Sequence, residues 1–266
     1  MMQQFKQLED SMKFYRYYRR WRAITMMSLM AALCMIVAIG PAGAVVPTGT
    51  PTFSNPLNIT NAYHPFQPGG VKVFQGSDGQ TKMVGLHLYL TETRSFNWNG
   101  TTVACRVLRE IAFENGELVE LSDNYFAQAD DGTVYYFGEV VDNYEDGVVV
   151  DNDGSWLVGG PTLPSDPPTT ANDNNPTVFM PANPEVGDVF KPEDLIPVVD
   201  ETAKVVRVGA KVKVPAGAYE DAIAIEETSA LEPGTTTKWY APDVGVVMEK
   251  AKREQLNLIS STLVSP

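Results

Sequence analysis

After residue 46, short stretches in which apolar and polar residues alternate are separated by turn signals. Residues 86–90 give the clearest case, because Leu86, Leu88 and Leu90 would face one side of a strand while His87 and Tyr89 face the other. Asp-Gly and Asn-Gly pairs, which favour tight hairpin turns, recur between these stretches. They stand at 78–79, 99–100, 115–116, 131–132, 146–147 and 153–154.

The segments between these turns are rich in Val, Ile, Tyr, Phe and Thr, which favour strands. No segment after residue 46 has a long apolar pattern of helical period, although 250–256 would form a short helix or a frayed strand. We therefore predict a mainly β fold, an antiparallel curled sheet or a β-barrel, because closure removes exposed edges. The other predicted strands are 71–75, 101–113, 117–128, 133–140, 147–151, 203–214, 219–227, 235–241 and 244–249.

The N-terminal segment differs from the rest of the chain. Residues 1–22 form a basic tail that we expect to stay cytoplasmic, and residues 23–44 carry no charge and are long enough to cross a bilayer as a helix. Small residues up to Ala44 fit the cleavage of a signal peptide, and an uncleaved membrane anchor is the alternative. The pattern predicts a secreted, periplasmic or cell-envelope protein that meets the membrane only through this segment.

The remainder divides into a linker and one domain. Residues 45–57, rich in Pro, Thr, Gly and Ser, are predicted to be a linker, and residues 58–262 a β domain. Within that domain, residues 159–176 hold five prolines, which the interior of a sheet does not accommodate. We expect a disordered surface insertion there, with a lid as the alternative.

Charge and cysteine content exclude several classes of protein. Without residues 1–44 the chain has 14 basic and 31 acidic residues, a formal charge of −17, which repels the phosphates of nucleic acids. Of the two cysteines, Cys34 lies in the apolar N-terminal segment, so Cys105 is alone after cleavage and has no disulfide partner. We expect Cys105 to be a small buried core residue.

Seven short motifs are spread over the predicted domain. They are NAYHPFQPG at 61–69, YFAQ at 125–128, DGTVYYFGE at 131–139, GSW at 154–156, MPANPEVGD at 180–188, LEPG at 231–234 and KWYAPDVGVV at 238–247. As a set they resemble a family of secreted, β-rich bacterial proteins for which no reaction is established. The resemblance covers about residues 58–250 and implies fold and export but no activity. Residues 159–176 depart from it, because a Pro/Asn-rich insertion replaces a shorter Gly-rich connection.

The chain contains no serine-nucleophile, zinc-protease, phosphate-loop or dinucleotide motif. Aromatic residues on the predicted strands, interleaved with Gln and Lys, instead favour a pocket for an apolar or aromatic small molecule on the concave face of the sheet. A binding or carrier domain of the cell envelope is therefore our first hypothesis. The candidate binding residues are Tyr125, Gln128, Tyr136, Trp156, Lys238 and Tyr240.

The same segments leave two other functions open. Lys238 and Tyr240 share one face of a strand, and with Glu139 they would serve as acid and base in a secreted enzyme. A packed core with a surface Lys–Glu pair explains these residues equally well. A further hypothesis is a calcium-stabilised surface protein.

Calcium prefers six to eight oxygen ligands, and a run of aspartates supplies several. The candidate ligands are Asp142, Asp146, Asp151 and Asp153. Trp156 stands where an EF-hand loop needs its glycine, and acidic hairpin tips on a solvated surface explain the cluster too. A metal pair of His64 and His87 with carboxylates is conceivable, although their spacing gives no support and ordinary satisfied histidines are the alternative. No other cofactor is indicated.

Overall fold

The computed structural model describes Val46 and residues 49–263. Fifteen strands and no helix occur among these residues, and all the strands belong to one sheet. The strands are β1 (Val71–Asp78), β2 (Thr81–Trp98), β3 (Thr101–Glu114), β4 (Glu117–Gln128), β5 (Val134–Glu145), β6 (Val148–Asp151), β7 (Trp156–Val158), β8 (Ala171–Asp173), β9 (Thr177–Met180), β10 (Val189–Leu195), β11 (Val199–Val214), β12 (Gly217–Thr228), β13 (Thr236–Ala241), β14 (Gly245–Lys250) and β15 (Glu254–Ser261).

The sheet curls into a nearly closed barrel. Its strands follow the order β10-β11-β12-β13-β14-β15-β1-β2-β3-β4-β5-β7-β8, and β6 and β9 also pair with β5. Every pairing is antiparallel except that of β7 with β8. At the seam between β9 and β10, the Thr177 hydroxyl donates to the Pro192 carbonyl at 2.5 Å. The predicted antiparallel curled sheet is therefore confirmed.

Three of the predicted hairpin turns have the backbone that their sequence favours. Both residues of the turns at 99–100, 115–116 and 146–147 have positive φ, as two-residue hairpin turns require. These turns join β2 to β3, β3 to β4 and β5 to β6. The alternation in 86–90 fixed the strand but not the side that faces the core.

Of the two predictions for 250–256, a short helix or a frayed strand, the helix is wrong. Residues 254–261 form β15, which lies between β14 and β1 in the middle of the sheet and is longer than the sequence indicated. Pairing with β1 accounts for this strand, since Phe74 lies opposite Leu258 and both are buried. Such pairing joins residues far apart in the sequence and leaves no local signal.

The core has two parts. The larger cluster lies against β3, β4 and β5 and contains Cys105, which is fully buried as predicted. The smaller cluster joins one end of the β11–β12 hairpin to strands on the other side of the sheet, and includes Phe74, Met83, Val212, Ala222, Val247 and Leu258. Interior packing across the sheet therefore holds the curl.

The Pro-rich insertion at 159–176 is ordered against the barrel. Asp166 forms an ion pair with Arg94 on β2 at 2.7 Å, and the Trp98 indole donates to Asn175 at 3.3 Å. Residues 171–173 form β8, which pairs with β7. The expectation of a disordered insertion is thus wrong, because a buried ion pair and strand pairing fix the segment.

Residues that were assigned to the linker also contact the barrel. Asp130 accepts hydrogen bonds from the hydroxyls of Thr52 and Ser54, and Phe53 packs edge-on against Trp98 and Tyr135. The predicted basic tail at 1–22 and the signal or anchor at 23–44 lie outside the described residues. Within the part of the chain that the structure describes, no helix is both long and apolar enough to cross a membrane.

Candidate functional site

The inner face of β1 and β2 carries ionisable residues among apolar ones. Phe74 is fully buried and its ring lies 4.6 Å from the ring of His87, so His87 faces the barrel interior. Lys72, two residues before Phe74, shares its face and is also fully buried. Tyr89 follows His87 on the same side and is buried. The leucines of 86–90 therefore point outwards, where they are half-buried.

Ionisable side chains from several strands converge on this interior. His87 on β2 and Lys238 on β13 are four places apart in the sheet, which is about 19 Å along a sheet with strands about 4.8 Å apart. Both side chains nevertheless lie on the inner face, since His87 contacts Phe74 and Lys238 lies opposite the buried Ile225. We call this set the interior polar cluster, and its members are Lys72, His87, Glu110, Glu227, Lys238, Tyr240 and Glu249.

A close ion pair lies in this cluster. The Lys238 ammonium is 2.7 Å from a carboxylate oxygen of Glu227, and the two side chains are 24% and 7% exposed. Burial opposes the charge on Lys238, but Glu227 and then Glu201 outweigh it and raise the pKa of Lys238 well above its usual value. Burial, followed by repulsion from Glu201, raises the pKa of Glu227 to about 8 although Lys238 attracts its charged form. Lys238 is therefore charged at neutral pH, and Glu227 is easily protonated.

Tyr240 stands beside this pair. It lies two residues after Lys238 on β13, so the two side chains share a face, as predicted. The side chain is buried, and burial together with the nearby Glu227 raises the pKa of Tyr240 well above its usual value. The phenol thus stays protonated and is able to donate a hydrogen bond.

Lys72 extends from β1 towards β14. Its ammonium donates to the Val246 carbonyl at 3.2 Å and lies 5.8 Å from the centre of the Tyr89 ring. Gly245 leaves room for it, because a Cβ atom at 245 would lie 3.2 Å from the Lys72 nitrogen. Burial lowers the pKa of Lys72 to about 7, although Glu110 and Glu249 favour its charged form.

The imidazole of His87 is uncharged at neutral pH. Burial, and then the charge of Lys72, lower the pKa of His87 to about 3. Its Nδ1 is 3.4 Å from a carboxylate oxygen of Glu110 on the neighbouring strand. Water reaches this part of the cluster, since the side chains of Glu110 and His87 remain 36% and 12% exposed.

Two of the predicted binding residues are packed into the core. The Tyr136 ring contacts those of Trp156, Phe126 and Phe179, with centres 4.8–5.8 Å apart. All but Phe179 are fully buried. The protein's own side chains therefore occupy the place that the sequence assigned to an apolar ligand.

The other predicted residues have separate roles. Tyr125 lies on the opposite face of β4 from Phe126 and accepts a hydrogen bond from Arg94 at 3.4 Å. The Gln128 side chain accepts the backbone N–H groups of Thr60 and Asn61 at 2.8 Å. Gln128 thus holds residues 60–61 against β4, and Tyr125 contacts the arginine that pairs with Asp166 of the insertion.

The structure brings Lys238 and Tyr240 together, as predicted, but pairs Lys238 with Glu227. Glu139 is buried on β5, in register with Asn124 and Trp156. Four members of the cluster were not predicted from the sequence: Lys72, Glu110, Glu227 and Glu249. A signal existed, because each polar residue is in phase with buried apolar residues of its own strand; Glu227, for example, follows Ile223 and Ile225 at intervals of two.

The candidate calcium ligands lie around the β5–β6 hairpin. Asp142 accepts a hydrogen bond from the Asn152 amide at 2.7 Å, and Asp151 accepts one from the Asn143 amide at 2.8 Å. Asp146 occupies the turn. Burial and the neighbouring Asp151 raise the pKa of Asp153. Among the described residues, no three or more His, Cys, Asp or Glu side chains are grouped so as to hold a metal ion.

No family model matches the chain, and no curated protein matches it. Two solved structures are similar to it: a Bacteroides fragilis protein provisionally described as exported and as having a YmcC-like fold, and a Parabacteroides distasonis protein provisionally described as a lipoprotein. Their identities to this chain are 13% and 14%, the TM-score is 0.37 for both, and each comparison covers 76% of this chain and 99% of the other. Similarity at this level carries no argument about function.

Proposed function

We propose that this protein is an exported domain that binds a small molecule inside its barrel, at the interior polar cluster. The proposal depends on one observation. Lys72 on β1, Glu227 on β12 and Lys238 on β13 face the barrel interior, and the Lys238 side chain remains 24% exposed. Export is inferred from the basic tail and the uncharged segment at 23–44.

The energetics support a role other than stability for the cluster. Burying a charge is unfavourable, and replacing a buried ion pair with apolar residues of similar volume is often neutral or stabilising. A pair of leucines would therefore stabilise the fold about as well as Lys238 and Glu227 do. Their presence in an otherwise apolar interior is explained if they orient a bound molecule.

The surroundings of the cluster suit a molecule with an apolar or aromatic body. Phe74, Tyr89 and Tyr240 are buried beside the charged groups, and aromatic rings offer large contact areas to such a body. A few polar groups in an apolar pocket are the usual means of fixing a ligand's orientation.

Native mass spectrometry of the protein purified from its own host tests the proposal. We expect a bound mass on the wild type, and its loss from Lys238→Met. Lys211→Met is the matched control, because Lys211 pairs with Glu220 on the surface and is 79% exposed. Tyr240→Phe removes only the hydroxyl group and keeps the packed ring, so a loss of the bound mass from this variant would not be due to misfolding. Bare polypeptide masses for the wild type and all variants would refute the proposal.

An acid–base enzyme is the second candidate. The pKa of Glu227, about 8, lies where a carboxyl group exchanges protons near neutral pH, and the Lys238 ammonium is 2.7 Å away. In this function Glu227 would take or give a proton on the bound molecule. The protein is an enzyme if the wild type converts the bound molecule and Glu227→Gln still binds the molecule but does not convert it.

A further inference from the structure

We propose that residues 59–66 form a flap that closes over the Lys72 side of the barrel interior, and that protonation of His64 opens it. The opening of the flap is independent of any ligand. Its role as a gate rests on the proposed function, because an open flap would give a small molecule access to the interior polar cluster.

The flap is a short loop with an anchored base. The Phe66 N–H donates to the Ile59 carbonyl at 3.4 Å, which joins the two ends of the loop, and both side chains are buried. The Phe66 ring also packs edge-on against Tyr89 of β2, with ring centres 5.0 Å apart. A movement of the flap would therefore be confined to the residues between its two ends.

The tip of the flap reaches a distant part of the sheet. At the end of β4, the Gln128 side chain accepts the backbone N–H groups of Thr60 and Asn61 at 2.8 Å. The next carbonyl, that of Ala62, accepts the N–H of Asp243 at 2.8 Å, in the turn between β13 and β14. Because β4 and β13 are six places apart in the sheet, the flap extends across the barrel and does not follow its wall.

The flap lies against the Lys72 part of the interior polar cluster. Three groups meet beside Gly245, where a Cβ atom would lie 3.2 Å from the Lys72 nitrogen, 3.3 Å from the Tyr63 carbonyl oxygen and 3.5 Å from Cδ of Pro65. The Tyr63 hydroxyl also donates to the Asp221 carbonyl at 3.2 Å. A molecule that approaches Lys72 from this side has to displace the flap.

His64 attaches the flap to the aromatic core. Its ring packs against those of Phe126 on β4 and Phe179 on β9, with ring centres 4.7 and 4.6 Å away. The Nε2 atom is buried and has no hydrogen-bond partner among the described residues. A buried polar atom without a partner is unfavourable, so the imidazole holds the flap less firmly than an apolar ring would.

The groups around His64 oppose its protonation. The elements β4 and β9 present the two uncharged phenylalanine rings to it. Burial, and then repulsion by Lys72 on β1 and His87 on β2, lower the pKa of His64 to about 3. The carboxylate of Glu110 on β3 lies 3.4 Å from His87 and favours the charged form of Lys72. A proton on His64 would therefore stand next to another positive charge, without water.

Opening the flap removes this conflict. In water the imidazole regains its ordinary pKa of 6.5, so the closed flap loses stability as pH falls from 6.5 towards 3. Between pH 6.5 and pH 5.0, the ratio of open to closed flap should rise about fifteenfold. Lys72, with a pKa of about 7, is largely protonated at both of these pH values and adds little to the change.

Hydrogen–deuterium exchange with mass spectrometry tests the proposal on the full chain at pH 6.5 and pH 5.0. Exchange times are scaled for the slower intrinsic exchange at the lower pH. We expect the protection of the flap to fall about fifteenfold at pH 5.0, while β3 and β4 keep theirs. His64→Phe should abolish the fall, because a phenyl ring fills the same place and takes up no proton.

His87→Gln is the matched control, because His87 is the other interior histidine but lies on β2, outside the flap. This variant should retain the fall, and His64→Gln serves if His64→Phe does not fold. Equal protection of the wild-type flap at both pH values, or equal behaviour of the variants at 64 and 87, would overturn the proposal. A fall shared by β3 and β4 would also overturn it, since it would show global unfolding. The native mass spectra decide interior binding separately.

Discussion

Two buried ion pairs in this protein have opposite surroundings. Arg94 and Asp166 join β2 to the 159–176 insertion on the outside of the barrel, whereas Lys238 and Glu227 lie inside it. Both contacts measure 2.7 Å and both acids are buried. The groups around each pair, and not the contact itself, show which pair stabilises the fold.

The outer pair has several hydrogen bonds, although the Nε atom of Arg94 has no hydrogen-bond partner among the described residues. The Arg94 guanidinium contacts both oxygens of Asp166 and lies 5.0 and 4.9 Å from the ring centres of Phe96 and Tyr125. Asp166 also accepts backbone N–H groups of the insertion. Burial opposes its ionisation, but these hydrogen bonds outweigh burial and lower the pKa of Asp166. This arrangement is that of a structural clamp.

The inner pair has a single close contact, and further carboxylates lie near it. Glu201 and Glu249 repel Glu227, whose pKa rises where that of Asp166 falls. A group that is harder to ionise in the folded protein does not stabilise the fold in its charged form. The difference supports a structural role for the outer pair and a binding role for the inner pair.

The largest expected effect comes from breaking the outer pair. Arg94→Met leaves the Asp166 carboxylate buried without its partner, which should lower the free energy of unfolding by about 3 to 5 kcal/mol. Urea denaturation measures this change. The control is Lys211→Met, which removes an exposed ion pair and should leave stability unchanged. Equal stability of the two variants would contradict the clamp.

The sequence predicted the β-barrel fold better than it predicted which side chains lie inside the barrel. Alternation in 86–90 placed His87 and Tyr89 on one face and three leucines on the other, without showing which face lies inside. The interior contains His87 because Phe74 and Leu258, from strands distant in sequence, close over that side. Local hydrophobicity alone does not reveal which face a curled sheet encloses.

The partner of Lys238 was unpredictable for a related reason. Glu139 and Glu227 both lie on strands among apolar residues, and the sequence gives no distance from either to Lys238. Sheet order decides, since β12 adjoins β13 while β5 lies far along the barrel. The shared face of Tyr240 and Lys238 was predicted correctly because the two residues are neighbours on one strand.

A smaller effect should appear in the pH dependence of stability. The folded pKa of Glu227, about 8, lies above the ordinary 4.5, so between these values the folded state retains a proton that the unfolded state loses. Wild-type stability attributable to this group therefore falls as pH rises from 4.5 to 8. The melting temperature of Glu227→Gln, relative to wild type, should rise by at least about 2 to 4 °C between pH 5 and pH 8.

Asp166→Asn provides the contrast. Because the folded pKa of Asp166 is depressed, its contribution is present above the unfolded value and is lost only as pH falls through the folded value. The melting temperature of Asp166→Asn should therefore lie below that of wild type by the same amount at pH 5 and at pH 8. If the melting temperatures of Glu227→Gln and Asp166→Asn, each relative to wild type, changed with pH in the same way, the two ion pairs would not have different roles.

The smallest expected effect concerns calcium at the β5–β6 hairpin. Asp142 and Asp151 already accept hydrogen bonds from the amides of Asn152 and Asn143, so binding calcium would require those contacts to be exchanged. We expect the same melting temperature in calcium chloride and in chelator. A stabilisation by calcium that Asp151→Asn abolishes would instead locate a cation site on the hairpin. The acidic surface, and not only the barrel interior, would then have a binding role.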